Sequence, residues 1–210
     1  MNAPICDADR KEALRFLLVK TAAVRSGVKP GELLRVRHSY ESQHRADSPF
    51  SFTRDDVLKI LKLDYVRLRV EENSSLVLFF HRDSLRRAVS QPENLATLSR
   101  CGYPATTDLK PLLKTLYLRF AVEKFPHEVG VFIGYPAKDV VGFIEKSRPR
   151  TPCRCPWTVF GDATESLSLS NLYRQTELFA QNVLDACENL QTFFETVANY
   201  RLKTLETVAA

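Results

Sequence analysis

One histidine and one carboxylate stand side by side in the middle of the chain, at His127 and Glu128. Imidazole titrates near neutral pH, and an adjacent carboxylate could take part in acid/base chemistry or in metal binding. Neighbouring residues on a strand point to opposite faces, however, which makes a shared task difficult. The alternative is structural, with His127 bonded to backbone at a strand edge and Glu128 paired with a lysine or arginine. We take both as candidate catalytic residues, with His127 the first to test.

The residues that follow suggest a site for a small anionic ligand. Gly134 is expected to supply a turn, and Pro136 to begin a helix whose free N–H groups could attract an anion. Tyr135 and Lys138 are the polar side chains beside it, and Lys138 would add a positive charge. We take Gly134, Tyr135 and Lys138 as candidate ligand-binding residues. The glycine spacing matches neither the dinucleotide fingerprint nor the phosphate loop.

Two thiols, Cys153 and Cys155, are separated by one residue in a proline-rich segment. Zinc sites use C-x₂₋₄-C pairs and four ligands, and a second pair is missing, so the pattern predicts no metal site and no cofactor. A redox or dimer-bridging role and ordinary surface cysteines both remain open. A nucleophilic pair of Cys101 with His127 would require the two to meet in space.

The composition is that of one globular domain, with 210 residues, 44% hydrophobic and 26% charged. No apolar run approaches the roughly 18–20 residues of a membrane span, and the first ten residues lack a signal-peptide pattern. We therefore expect a cytoplasmic protein. The net charge of +5 lies in residues 1–105, with 18 Lys/Arg against 13 Asp/Glu. These basic residues are interleaved with acids, which favours a solvated surface over nucleic-acid binding.

The elements that would position these residues are strands and helices in mixed order. Helical spacing predicts helices over about residues 9–26, 53–61, 82–90, 92–100 and 107–122, with a turn at Lys29-Pro-Gly31 and a polar surface loop over residues 38–52. Residues 65–70 alternate between apolar and charged, and residues 76–80 are apolar throughout, which predicts two antiparallel strands. Residues 129–133 are interpreted as a third, buried strand and residues 157–160 as a short fourth. The sequence thus predicts an α+β fold, with a small antiparallel sheet of about four strands and helices packed mainly on one face.

A long helix is predicted at the C terminus, because apolar residues recur there at intervals of three and four. A continuous helix over residues 171–205 would be about 50 Å long at ~1.5 Å per residue. Such a helix would overhang the rest of the chain, and its far end would need a partner, most simply a second copy. We expect a core over residues 1–165 and a dimerising helix over residues 166–210, forming one domain overall.

The phrase F-P-H-E-V-G-V-F-I-G-Y-P at residues 125–136, followed by D-V-V-G-F-I at 139–144, resembles the DUF3793 family of bacterial proteins of unknown function. The segment W-T-V-F-G-D at 157–162 is similar to another family segment. The resemblance covers about residues 12–185, and the chain after about residue 187 would extend beyond the family. It implies a bacterial cytoplasmic setting and carries no activity.

Two functional interpretations follow. The first is a ligand-binding or protein-interaction module, and the second is a small enzyme that uses His127 as general acid/base. The binding interpretation is favoured because no second catalytic group stands at a defined spacing from His127.

Overall fold

The computed structural model describes the backbone of residues 7–37, 61–146 and 149–208, and the side chains of residues 12–36, 61–146 and 149–200. Within these ranges the strands are β1 (Gly31–Arg37), β2 (Asp64–Val70) and β3 (Ser74–Phe80). The helices are α1 (Asp7–Lys20), α2 (Ala22–Arg25), α3 (Arg82–Val89), α4 (Pro92–Arg100), α5 (Leu109–Val122), α6 (Val129–Phe132), α7 (Ala137–Glu145), α8 (Thr164–Ala186) and α9 (Leu190–Val208).

The three strands form one antiparallel sheet in the order β1-β3-β2. Strands β2 and β3 confirm the two predicted strands and their antiparallel pairing. Strand β1 was not expected, because Lys29-Pro-Gly31 had the pattern of a turn. Gly31 opens β1 instead, and a Cβ at this position would lie only 2.7 Å from the carbonyl oxygen of Phe132 in α6. The glycine is thus required by close backbone approach.

Helices cover both faces of the sheet, so the prediction of packing mainly on one face was wrong. Along β3, Leu76, Leu78 and Phe80 join a core with helices α3 to α7. Val77 and Phe79 point to the other side, into a second core with α1, α2, α8 and α9. The physical reason is the all-apolar sequence of β3, since successive side chains of a strand point to opposite faces and both sets must be buried.

Two predicted strands are absent from the sheet. Residues 129–133 form the single helical turn α6 and the turn after it, and all five are buried. A short apolar run fits a buried helix as well as a buried strand, so periodicity alone could not distinguish them. Residues 157–160 are irregular except for one isolated bridge, between Arg150 and Phe160.

The single long C-terminal helix is instead two helices, interrupted at residues 187–189. Helix α9 packs against α8, where the rings of Phe179 and Tyr200 stack with centroids 4.3 Å apart. Phe193 and Val197 are fully buried in the same core as β3. The overhang that motivated a dimer is therefore not seen, and self-association through these residues stays a prediction, as does the division at residue 166.

Other predicted helices appear close to their expected places, as α3, α4, α5 and α7. The first helix is divided at Thr21, whose hydroxyl donates to the carbonyl oxygen of Leu17. The loop predicted over residues 38–52 and the helix predicted near 53–61 lie almost wholly outside the described residues. In the part of the chain that is described, no helix is long and apolar enough to cross a membrane.

Candidate functional site

A cavity of about 650 Å³ opens between the α6–α7 unit and the irregular residues 149–160, here called the 149–160 segment. We call it the Trp157 cavity. Its volume is within the range of small-molecule sites. Its walls are mainly apolar and aromatic, with polar groups at several points, and the residues used below are Phe125, His127, Tyr135, Asp139, Val140, Phe143, Arg150, Cys153, Cys155, Trp157 and Thr158.

Three glycines allow helices α6 and α7 to form one wall of this cavity. A Cβ at Gly130 would lie 2.8 Å from a methyl group of Val140, so the two helices pack closely. Gly134 has a φ of +80° and makes the turn between them. A Cβ at Gly142 would lie 2.4 Å from the Phe160 ring. The expected role of Gly134 in the turn is confirmed, and Gly142 allows α7 to pack tightly against Phe160.

The 149–160 segment forms the opposite wall of the cavity. Asp139 of α7, whose side chain is buried, connects this segment to α7. Its carboxylate accepts hydrogen bonds from four donors, which are Lys138 Nζ at 2.8 Å, Trp157 Nε1 at 2.8 Å, the Phe160 amide at 2.9 Å and Ser166 Oγ at 2.6 Å. Burial raises the pKa of Asp139, but these hydrogen bonds outweigh it and hold the pKa below its usual value. The carboxylate is therefore charged and fully satisfied, and it joins α7, α8 and the 149–160 segment.

Two pairs of rings line the cavity. Tyr135 and Trp157 are stacked, with centroids 4.3 Å apart and planes at 21°. The rings of His127 and Phe143 pack edge to face with their centroids 4.6 Å apart. The ring centroids of Phe125 and His127 are 6.0 Å apart. Burial raises the pKa of Tyr135 to about 12, with a further contribution from Glu32, so its phenol is neutral at pH 7. The cavity is thus lined largely by aromatic side chains.

His127 and Glu128 do not meet in one site. Glu128 is 2% exposed and is absent from the cavity lining. It pairs with the guanidinium of Arg119 and accepts a hydrogen bond from Tyr103 Oη at 3.1 Å. Within the described residues, no hydrogen bond joins His127 to a second titratable group. The geometry therefore places Glu128 in an internal ion pair and His127 alone at the cavity.

The three residues predicted to bind an anion are also separated. Tyr135 lines the cavity, whereas Gly134 and Lys138 do not. The carbonyl oxygen of Gly134 accepts a hydrogen bond from Tyr173 Oη at 2.9 Å. Lys138 is committed to Asp139, to the Phe160 carbonyl oxygen and to Ser166 Oγ. Lys138 thus connects α7 to Phe160 and to α8, and its charge is neutralised by Asp139.

Sequence reasoning did not select Arg150, Phe143 or Trp157 as site residues. The 149–160 segment contains Arg150 and Arg154 and no acidic residue. Hydrogen bonds hold its two ends together, including one from the Thr151 amide to the Val159 carbonyl oxygen at 2.8 Å. The sequence feature that could have indicated these site residues is a positively charged, proline-rich segment that contains the chain's only tryptophan.

Cys153 and Cys155 both line the cavity, Cys153 exposed and Cys155 half-buried, and the four cysteines whose side chains are described are free thiols. Among the described residues, no group of three or more His, Cys, Asp or Glu side chains could hold a metal ion. Burial raises the pKa of Cys101, and the Glu128 charge adds to this. Cys101 packs against the core around Leu98 and Tyr103, away from His127's cavity.

No curated protein and no solved structure is significantly similar to this chain. The model of one protein family, described as "Protein of unknown function (DUF3793)", matches residues 17–194. The match includes α6, α7 and the 149–160 segment, hence both walls of the Trp157 cavity, and it ends inside α9. It runs somewhat beyond the expected family end near residue 187. The chain therefore belongs to the DUF3793 family of proteins of unknown function.

Proposed function

We propose that this protein binds a small molecule in the Trp157 cavity. The observation that carries the proposal is a cavity of about 650 Å³ whose two ring-bearing walls are joined by the buried Asp139 carboxylate. Because Asp139 already has four donors, the walls have a defined position before any ligand arrives. A bacterial cytoplasmic setting, which the family resemblance implies, belongs to the same proposal.

A second candidate is an enzyme in which His127 acts as general acid/base on a molecule in this cavity. Its support is the exposed imidazole of His127 on the cavity wall, with no polar partner among the described residues. General acid/base catalysis by one imidazole requires only a correctly placed substrate proton. The binding function is the first proposal because Glu128, the expected helper, is paired with Arg119.

The binding proposal is tested with the neutral fluorescent probe N-phenyl-1-naphthylamine. Trp157 is the chain's only tryptophan, so energy transfer to a probe in the cavity will quench its emission. We expect saturable probe fluorescence together with loss of Trp157 emission. Substitution Thr158→Phe should weaken binding, because Thr158 lines the cavity and a larger ring would fill part of it.

The matched control is Ser168→Phe, which adds the same ring at an exposed position of α8. This variant should bind the probe as the original chain does. Lack of saturable binding by the original chain, both of this probe and of its sulfonated form 8-anilinonaphthalene-1-sulfonate, or equal binding by the Thr158→Phe variant, would contradict the proposal. For the second candidate, His127→Ala should abolish any activity found while leaving probe binding measurable.

A further inference from the structure

We infer that the molecule bound in the Trp157 cavity is a small acid, with one anionic group beside Arg150 and a flat apolar body against the aromatic rings. This inference rests on the proposed binding function and names the chemical class of its ligand. It assigns the anion-binding role to Arg150, in place of Lys138.

The permanent charges in the cavity do not balance. The charged side chains that line it are Arg150 and Asp139. Asp139 is neutralised by Lys138 at 2.8 Å and saturated by three further donors, so it has little attraction left for a cation. Arg150 has no ion-pair partner among the described residues and is exposed. The unbalanced charge of the cavity is therefore positive.

The backbone at Arg150 is held by the end of its own segment. Arg150 bridges to Phe160, and the amide of Phe160 in turn donates to Asp139 at 2.9 Å. The start of the 149–160 segment is therefore paired with its end at Phe160, three residues after Trp157. A guanidinium presents several N–H donors in one plane, which suits a carboxylate, sulfonate or phosphate better than a neutral group.

The remainder of the lining is mainly apolar. The Tyr135–Trp157 pair and the His127–Phe143 pair place four aromatic rings along the cavity, and their uncovered parts can contact an aromatic or hydrocarbon body. Tyr135 adds no negative charge, since its phenol is neutral at pH 7. A molecule with one acidic group and an apolar body therefore matches both the charge and the surface of the cavity.

The experiment compares two probes that share one body. 8-Anilinonaphthalene-1-sulfonate carries a sulfonate on the phenylnaphthylamine skeleton, whereas N-phenyl-1-naphthylamine is the same skeleton without charge. We expect the original chain to bind the sulfonate more tightly. Arg150→Gln should weaken sulfonate binding about fivefold or more and neutral-probe binding less than about twofold, because only the charge-assisted contact is lost.

Arg154→Gln is the matched control, since Arg154 lies in the same segment and is exposed but does not line the cavity. It should change sulfonate affinity less than about twofold, as expected for a screened, more distant charge. Equal affinity for the two probes, or equal losses in the Arg150→Gln and Arg154→Gln variants, would overturn the acidic ligand while leaving a binding cavity. Failure of both probes to bind would instead remove the proposed function itself.

Discussion

The indole Nε1 of Trp157 donates a hydrogen bond to Oδ2 of Asp139 at 2.8 Å, and this contact joins the 149–160 segment to helix α7. Asp139 itself is set by Ser166 of α8 at 2.6 Å and by the amide of Phe160. The position of the cavity's tryptophan therefore depends on a carboxylate that comes from the opposite wall.

Substitution Asp139→Asn should destabilise the protein by about 2–4 kcal/mol, because it leaves the half-buried Lys138 ammonium without its charged partner and replaces a buried acceptor oxygen by a donor. Urea unfolding followed by circular dichroism measures this loss. Asp83→Asn is the control, since Asp83 is exposed and its ion pair with Arg86 spans 3.7 Å. It should cost less than about 0.5 kcal/mol. Equal losses in the free energy of unfolding for the two substitutions would show that the Asp139 network stabilises the fold no more than an exposed ion pair does.

The same carboxylate should make stability fall in acid. Because the pKa of Asp139 is held below its usual value in the folded chain, its contribution is fully present above the unfolded pKa near 4. It should be lost as the pH falls through the lower, folded pKa. Unfolding measured between pH 7 and pH 3 should therefore show a smaller acid loss in the Asp139→Asn variant. An identical pH profile in both proteins would contradict this assignment.

The Arg119–Glu128 pair should be structural. Glu128→Gln should cost about 2–3 kcal/mol, because the Glu128 side chain is 2% exposed and Arg119 would lose its buried partner. Glu123→Gln removes a second partner of the same guanidinium, at 2.8 Å on the surface, and should cost less than about 0.5 kcal/mol. Neither variant should change probe affinity when folded. If the Glu128→Gln variant alone lost probe binding, Glu128 would have to be counted among the ligand-binding residues.

Gly142 and Phe160 set the contact between α7 and the end of the 149–160 segment. Alanine normally stabilises a helix relative to glycine by about 1 kcal/mol. Gly142→Ala should instead destabilise by about 1–3 kcal/mol, since its Cβ would lie 2.4 Å from the Phe160 ring. In a Phe160→Ala background the same change should be much less harmful. A double-mutant cycle measured by urea unfolding tests this coupling, and additive effects would contradict the contact.

Cys153 and Cys155 should report occupancy of the cavity. N-Ethylmaleimide should modify exposed Cys153 first, followed by Cys155. Bound 8-anilinonaphthalene-1-sulfonate should slow both reactions, because both thiols line the cavity. Cys187 packs in the other core and provides an internal control whose rate should not change. Mass spectrometry of the labelled peptides follows all three, and unprotected Cys153 and Cys155 would argue against binding at this site.

Part of the site could be read from local sequence. Gly134, Pro136 and the apolar face of α7 predicted a turn followed by a helix, and this turn does place Tyr135 on the cavity wall. The separation of His127 and Glu128 was predicted from the alternation of a strand, but the two residues lie in the turn before α6, so that reason was wrong. The partners of Glu128 could not be predicted, because Arg119 and Tyr103 approach from other elements.

The sequence alone determined strands β2 and β3, since alternation and an unbroken apolar run have a direct meaning in an extended chain. The sequence also required a helical layer on each face of the sheet, because β3 has apolar residues on both of its faces. Only the tertiary structure decided that residues 129–133 are a helical turn, because a short apolar run is compatible with either element. Asn189 accepts a hydrogen bond from the Thr192 amide at 3.0 Å and so caps the start of α9, whereas the packing of α9 back onto α8 depends on the burial of Phe193 and Val197. Likewise, the two walls of the Trp157 cavity are joined by Asp139, which accepts hydrogen bonds from separate segments, and such convergence is not encoded in any local pattern.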